Sequence, residues 1–246
     1  MNAIEIEDLW IGFDEEPVLQ GVNLKVEANR NTIIAGTSGV GKTILLKSVI
    51  GLLKPNRGRI TINGEDTSGY SAQDWYNLRM QIGMVFQGNA LFDSMSVWEN
   101  VGFFFLEHTR KSAEQVRREA EQALKLVDLE GTGDLYPEEL SGGMKKRVAL
   151  ARTLLFNPKI ILYDEPSSGL DPVTSEGIKD LMRSIHKQFG TTALIVSHDL
   201  LFMQGLAERV GLLDQGRIVG FGPLEELQQS SDPLVSNFFR IKGISP

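Results

Sequence analysis

Eight consecutive residues carry the strongest chemical signal in the chain: Gly36-Thr37-Ser38-Gly39-Val40-Gly41-Lys42-Thr43, spaced as G-x-x-x-x-G-K-[ST]. Glycines at these positions let main-chain N–H groups converge on phosphate oxygens, and a helix N-terminus beyond them adds positive potential. On this reading Lys42 reaches the β- and γ-phosphates of a nucleotide and the Thr43 hydroxyl coordinates Mg²⁺. The flanks have the required texture. Asn31 to Ala35 is short, apolar and β-branched, as a buried strand is, and Ile44 to Ile50 reads as a helix ended by Gly51 and Pro55. A chance glycine–serine loop before a core helix is the competing reading, and strand and helix together argue against it.

Two further groups could act on the same nucleotide. Ile160-Ile161-Leu162-Tyr163-Asp164-Glu165 is an apolar run ending in two carboxylates. In a parallel sheet the carboxyl end of a strand faces the ligand crevice. There Asp164 would assist Mg²⁺ without binding it directly, and Glu165 would polarise the attacking water as a general base. Leu140-Ser141-Gly142-Gly143 precedes a helical pattern. Ser141 fits a plain N-cap, yet a hydroxyl beside free amides is also a second anion site. One chain cannot easily use two such sites on one phosphate, whereas two chains arranged head-to-tail can.

The elements that must hold these groups alternate between strand and helix. Residues 4–13 and 18–26, split by the acidic turn Asp14-Glu15-Glu16-Pro17, suggest a hairpin, and Arg59 to Gly64 another strand ending in an Asn-Gly turn. Together they predict a small antiparallel sheet beside the phosphate loop. A short helix over 71–80 is capped by Ser71, and Ile82 to Phe86 is a strand running into Gln87. Beyond Gln87 the texture is helical for about sixty residues. Ser112 to Gln115 has capping-box form; Val116, Ala120, Ala123, Leu124 and Val127 recur on one face, and Gly131 and Gly133 close that helix. Lys159 to Tyr163 and Thr191 to Ser197 read as buried parallel strands around a helix over 173–189. A hairpin at Asp214-Gln215-Gly216 and a helix from Pro223 complete an α/β chain with a mainly helical insertion.

Composition sets limits. The 246 residues carry a net charge of −7, which argues against a nucleic-acid-coating protein. Zero cysteines exclude disulfides and thiolate metal sites and fit a reducing compartment. The N-terminus is acidic where a signal peptide would be basic, and no stretch approaches the 18 or so apolar residues of a membrane span. The expectation is a chain soluble by itself, with any membrane role exerted through a partner.

The phosphate loop, Gln87, Leu140-Ser141-Gly142-Gly143, Tyr163-Asp164-Glu165-Pro166, Gly169-Leu170-Asp171 and His198 stand in the order and approximate spacing of ABC transporter ATPase subunits. The resemblance covers essentially the whole chain, and Leu-Ser-Gly-Gly is its most specific element. It implies a P-loop NTPase core of RecA-like α/β fold, with an N-terminal antiparallel β subdomain and a helical subdomain inserted in the middle. Residues 1–246 would form one ATPase domain: 1–87 and 151–246 the nucleotide-binding core with its β subdomain, 88–150 the helical subdomain. Gly36 to Thr43 and Ile44 then bind ATP. Gln87 resembles the Q-loop glutamine, which senses Mg²⁺ and water and faces the membrane subunit. Ser141, Gly142 and Gly143 resemble the signature that closes on the γ-phosphate of the opposite protomer. Asp171 resembles the D-loop aspartate at the dimer seam, and His198 the switch histidine on the γ-phosphate. The resemblance would make Lys42, Gln87, Glu165 and His198 catalytic, and Thr43, Gln87 and Asp164 the metal's neighbours. Phe13 is the candidate to stack on adenine; Trp10 is near, and a core place is the competing reading for both.

Two departures stand out. Ile44 replaces the hydroxyl residue many members have after the magnesium ligand, and Met144 replaces the glutamine that commonly ends the signature. With Met144, the run Gln87 to Val101 and the tail Asp232 to Phe239 resemble the ATPases of MCE/Mla-type phospholipid transporters. For the tail, an amphipathic end packed on its own domain is the competing reading. The subgroup implies a head-to-tail homodimer, an integral permease and an MCE-domain protein as partners, at the cytoplasmic face of the inner membrane. Leu91, Phe92 and Met95 would offer the permease an apolar surface unless they are core. The alternatives are a permease-free ABC ATPase of the iron–sulfur assembly type and a transporter ATPase for an amino acid or other small solute. A nucleic-acid-processing member would need a long coiled-coil insertion, which the sequence lacks.

Overall fold

The computed structural model describes residues 1–14 and 16–240. Strands β1 (Asn2–Phe13) and β2 (Glu16–Glu27) pair antiparallel, Phe13 opposite Glu16, so the expected acidic turn narrows: Glu16 and Pro17 belong to β2 and Glu15 lies outside the described residues. Pro17 is tolerated there because β2 is an edge strand. Next come β3 (Asn31–Ala35) and α1 (Lys42–Val49), which Gly51 stops with φ of +65°. A Cβ on Gly51 would sit 2.5 Å from the Trp75 ring, so the glycine meets both a conformational and a steric demand. Strands β4 (Arg57–Ile62) and β5 (Glu65–Asp66) turn through Asn63 and Gly64, both left-handed, as an Asn-Gly hairpin requires.

After α2 (Ala72–Arg79), whose Ser71 and Asp74 form a capping box, β6 (Ile82–Val85) enters the main sheet. Three helices fill the stretch to the next strand: α3 (Val97–His108), α4 (Ala113–Leu126) and α5 (Gly142–Leu154). Helix α4 buries Val116, Ala120, Ala123 and Leu124, the face the spacing predicts. Its end is corrected: Asp128, with φ of +57°, breaks the helix before Gly131 or Gly133 is reached. An aspartate tolerates the left-handed region well enough to do a glycine's work. Then follow β7 (Ile160–Asp164), α6 (Pro172–Phe189), β8 (Thr192–Ser197), α7 (Leu200–Met203), β9 (Arg209–Asp214), β10 (Arg217–Gly222), α8 (Leu224–Gln228) and α9 (Pro233–Arg240).

Among the described residues two sheets form, one antiparallel in the order β2-β1-β4-β5 and one in the order β10-β9-β3-β8-β7-β6. In the second, β9, β3, β8, β7 and β6 run parallel and β10 is an antiparallel edge. Side chains alternate between its faces. Ile33, Ile161, Tyr163, Ala193 and Ile195 join a core with α3 to α6, whereas Ile34, Ile160, Leu162, Leu194 and Val196 join a second core with α1 and the antiparallel sheet. A sheet covered on both faces reads as continuous apolar runs, which is why β3, β7 and β8 look uniform in sequence. Val235 and Phe239 of α9 are buried against the first core, so the tail packs on its own chain.

Candidate nucleotide site

Strands β3, β7 and β8 lie side by side, so three sequence-distant carboxyl ends meet at one edge. The loop from Gly36 leaves β3 there. A Cβ on Gly36 would come within 2.6 Å of the Leu213 carbonyl oxygen, and Gly41 caps α1 at φ of +108°. Both positions exclude side chains for reasons visible in the backbone.

Lys42 is 5% exposed, and its Nζ donates to the carbonyls of Gly36 at 2.8 Å and Thr37 at 3.0 Å. It also pairs with Glu165 Oε1 at 3.1 Å. Thr43 Oγ1 donates to Asp164 Oδ1 at 2.9 Å, which ties the loop to the end of β7. Burial holds the Asp164 carboxyl above its usual range, an effect the Thr43 bond opposes and the neighbouring Glu165 charge reinforces.

Glu165 follows β7 in a left-handed conformation, φ of +48°, with its N–H donating to the Val196 carbonyl of β8 at 3.0 Å. Such a backbone is uncommon for a glutamate and concentrates at sites where a side chain must be aimed. Here it aims the carboxylate between two cationic or proton-bearing groups. Oε1 meets Lys42, and Oε2 accepts the His198 Nδ1–H at 2.8 Å and the His198 main-chain N–H at 3.3 Å. A carboxylate at Nδ1 fixes the ring proton there and turns Nε2 outward as the free position.

Lys42, Thr43, Glu165 and His198 face a cleft of about 430 Å³, with Asp164 behind Thr43. Phe13, Ser38, Gly39, Gly41, Lys42, Thr43, Ile44, Gln87, Glu165 and His198 all contribute to its wall, as does Val18 of β2. Phe13 is half exposed at the end of β1 and, unlike Trp10, reaches the cleft; Trp10 Nε1–H donates to Asp8 Oδ1 at 2.8 Å instead. Gly36, Thr37 and Val40 form the loop behind this lining. Gln87 donates from Nε2 to Ser168 Oγ at 3.2 Å. Val18 and Ser168 were not legible beforehand: Val18 reads as one more alternating strand residue, and Ser168 lies in a turn whose path depends on the strand order.

The signature stretch lies elsewhere. Among the described residues lining the cleft, Ser141, Gly142, Gly143 and Asp171 do not figure. Ser141 caps α5, its Oγ accepting the Met144 N–H at 3.3 Å, and Asp171 caps α6, Oδ1 accepting the N–H groups of Val173 and Thr174 at 3.1 Å each. The two caps are packed together. A Cβ on Gly143 would meet Thr174 Cγ2 at 2.4 Å, and Leu170 lies against Gly142. Within one chain, then, the phosphate loop, Gln87, the β7 carboxylates and His198 converge, while the signature and Asp171 form a separate paired feature. Of the three candidate coupling residues, Phe92 is exposed and rests on Phe103 at 4.5 Å between ring centres, whereas Leu91 and Met95 are half-buried.

Comparison with known proteins adds the following. The family model described as ABC transporter matches residues 19–168. The chain is 40% identical over 244 residues to a probable ribonucleotide transport ATP-binding protein, mkl, of Mycobacterium leprae, covering 99% of this chain and 70% of that one. It is 35% identical over 245 residues to the intermembrane phospholipid transport system ATP-binding protein MlaF of Haemophilus influenzae, covering 100% of this chain and 93% of that one. Among solved structures, a dimeric ATP-binding cassette, MJ0796, in a post-hydrolysis state with ADP and Pi is similar at a TM-score of 0.80 and 31% identity, covering 89% of this chain and 98% of that one.

Proposed function

The chain belongs to the ABC transporter family as an ATP-binding, ATP-hydrolysing subunit, and we propose that two copies of it, closed head-to-tail on two Mg-ATP, drive a separate membrane permease that moves phospholipid. The observation that carries the hydrolytic part is the buried Glu165 carboxylate, held between Lys42 and His198 in the wall of the cleft. In this reading the Gly36–Thr43 loop cradles the phosphates. Lys42 leaves Glu165 for the β- and γ-phosphates, which frees the carboxylate to take a proton from the attacking water. His198 turns its Nε2 to the γ-phosphate, and Phe13 offers its ring to adenine.

The donor set fits magnesium. Thr43 Oγ1, the Gln87 carboxamide and the Asp164 carboxylate are hard oxygen donors, and Thr43 and Asp164 are already in contact. Among the described residues no three carboxylates or histidines form a cage, which suits an ion held by one or two protein oxygens together with substrate phosphates. When bound, Mg²⁺ would supply charge neutralisation to the phosphates. Thr43 and Gln87 would hold it, and Asp164 would orient Thr43.

Ser141, Gly142, Gly143 and Asp171, standing apart from the cleft of their own chain, are the groups a second copy would bring to it. That MJ0796 is dimeric with ADP and Pi supports this arrangement. Among the described residues no helix is long and apolar enough to cross a membrane. The similarity to a phospholipid transport system ATP-binding protein supports attachment through a permease, and we assign the chain to the cytoplasmic face of the inner membrane, with Phe92 and its neighbours on the coupling side. The phospholipid cargo is supported by the similarity to MlaF over all of this chain and 93% of that one, by Gln87 to Val101 and by the tail, and it implies an MCE-domain protein in the assembly. The higher identity to mkl favours a second reading, a transporter for another solute.

A pull-down of the tagged chain from its own membranes in mild detergent separates these. A multi-spanning permease with an MCE-domain protein is the expected result. A permease with a solute-binding protein would overturn the lipid cargo, and soluble partners alone would overturn the coupling to transport.

A further inference from the structure

Lys146 stands one turn into α5 from Ser141, where a lysine on a surface helix would ordinarily extend into water. It is instead 6% exposed. Its Nζ donates to the main-chain carbonyl of Gln87 at 3.2 Å, so a charged donor is bound to a neutral acceptor inside the fold. Taking an ammonium out of water is costly unless hydrogen bonds and opposite charge offset it. Burial indeed pushes the Lys146 amine below the ordinary lysine range, while the charges of Asp164 and Glu165 act the other way. The ammonium therefore lies in the field of both carboxylates without belonging to the cleft wall.

The contact sits within a short chain of contacts. Lys146 holds the Gln87 carbonyl, the Gln87 carboxamide donates to Ser168 Oγ at 3.2 Å, and the Ser168 N–H donates to the Glu165 carbonyl at 3.1 Å. One end of this chain is the helix that begins with the signature; the other is the residue whose side chain meets Lys42 and His198. We propose that Lys146 is a positioning residue for ATP hydrolysis: it ties the main chain at Gln87 to α5, so that the Gln87 carboxamide moves with the signature helix. The proposal rests on the assignment of Gln87 to the metal and the attacking water. Lys146 touches neither nucleotide nor metal and acts only through Gln87.

The test compares steady-state ATP hydrolysis by Lys146→Met, Lys146→Arg, Gln87→Ala and the double variant Gln87→Ala/Lys146→Met of the full chain, each with its melting temperature. Methionine keeps the apolar stem and removes the charge. The expected result is a fall in kcat of about tenfold, the scale seen for groups that orient a ligand rather than contact substrate, with KM within about twofold of the parent. Arginine restores most of the rate because it keeps the charge and the donors. In the Gln87→Ala background the methionine costs less than about twofold more, since the two residues form one path. A slow Gln87→Ala beside a fully active Lys146→Met would overturn the proposal alone, as would additive losses in the double variant. Full activity in Gln87→Ala would remove the Gln87 assignment and the proposal with it. A kcat loss that follows a lowered melting temperature and is not restored by arginine would reduce Lys146 to a packing residue.

Discussion

A carboxylate is a better general base when its oxygens are not held by cationic or proton-donating partners, and in Glu165 both oxygens already have one. Lys42 takes one oxygen and His198 the other. In the proposed mechanism, phosphates bound by Lys42 would compete directly with Glu165 for the same ammonium, so that nucleotide entry and activation of the base would be one exchange. The two residues therefore part in mutants. Lys42→Ala removes a charge-assisted contact worth about 1.5–3 kcal/mol and weakens ATP affinity about 10- to 100-fold by titration calorimetry. Glu165→Gln leaves that affinity within a few-fold and lowers kcat by about 10²–10⁴. Comparable losses of affinity in both variants would contradict the division of labour. Glu165 itself is legible in the sequence, as the second acid at the end of an apolar run. Its contact with His198 is not: the two are 33 residues apart, and only the pairing of β7 with β8 brings them together.

Elements are set by their ends as much as by their faces. Helix α6 starts at Asp171, whose side chain accepts from the Thr174 hydroxyl and from the N–H groups of Thr174 and Val173, and those bonds hold its carboxyl below the usual 3.8. Asp74 at α2 is lowered in the same way by the Ser71 side chain and N–H. A carboxyl depressed in the folded state contributes stability that is complete above its unfolded pKa and is lost as pH falls through its folded one. Both caps thus add to acid sensitivity below about pH 4 and not at neutral pH. Asp171→Asn keeps an acceptor at the N-cap. It is expected to unfold in urea close to the parent at pH 7 and to lose less stability between about pH 5 and pH 3; parallel pH curves would show that the cap does not depend on charge. The Ser71 cap is legible because its chemistry is local, within three residues, whereas Asp171 is read only as a dimer-seam residue and its cap emerges from the structure. The end of α4 is not legible either, because Asp128 supplies a left-handed turn that composition assigns to Gly131. The buried lysine at position 146 is hidden for the opposite reason: its partner, Gln87, is fixed by the packing of α5 on the loop after β6.

At the scale of the whole molecule, the sequence order of the motifs misleads about which of them can meet. The parallel sheet gathers the phosphate loop, Glu165 and His198 at one edge, while α5 and α6 present Ser141 and Asp171 as a separate pair of caps in contact through Gly143 and Thr174. A site that needs both sets must draw them from two chains. Lys42→Ala and Ser141→Arg variants are each inactive under this arrangement, one lacking the phosphate contact, the other blocking the partner's cleft. Mixed, they form some pairs in which the intact phosphate loop of the Ser141 variant faces the intact signature of the Lys42 variant. With free exchange half the pairs are mixed and one site in each is sound, so about a quarter of the parent activity returns when sites work independently. Each chain carries a charge of −7, so the exchange is run near 0.15 M salt, where exposed charges more than about 8 Å apart are screened. Mixed pairs detected by energy transfer without recovered hydrolysis would rule out a shared site. Recovery at the predicted level would mean that a complete catalytic centre exists only between two copies, with the strand order of one chain and the helix caps of the other each supplying half.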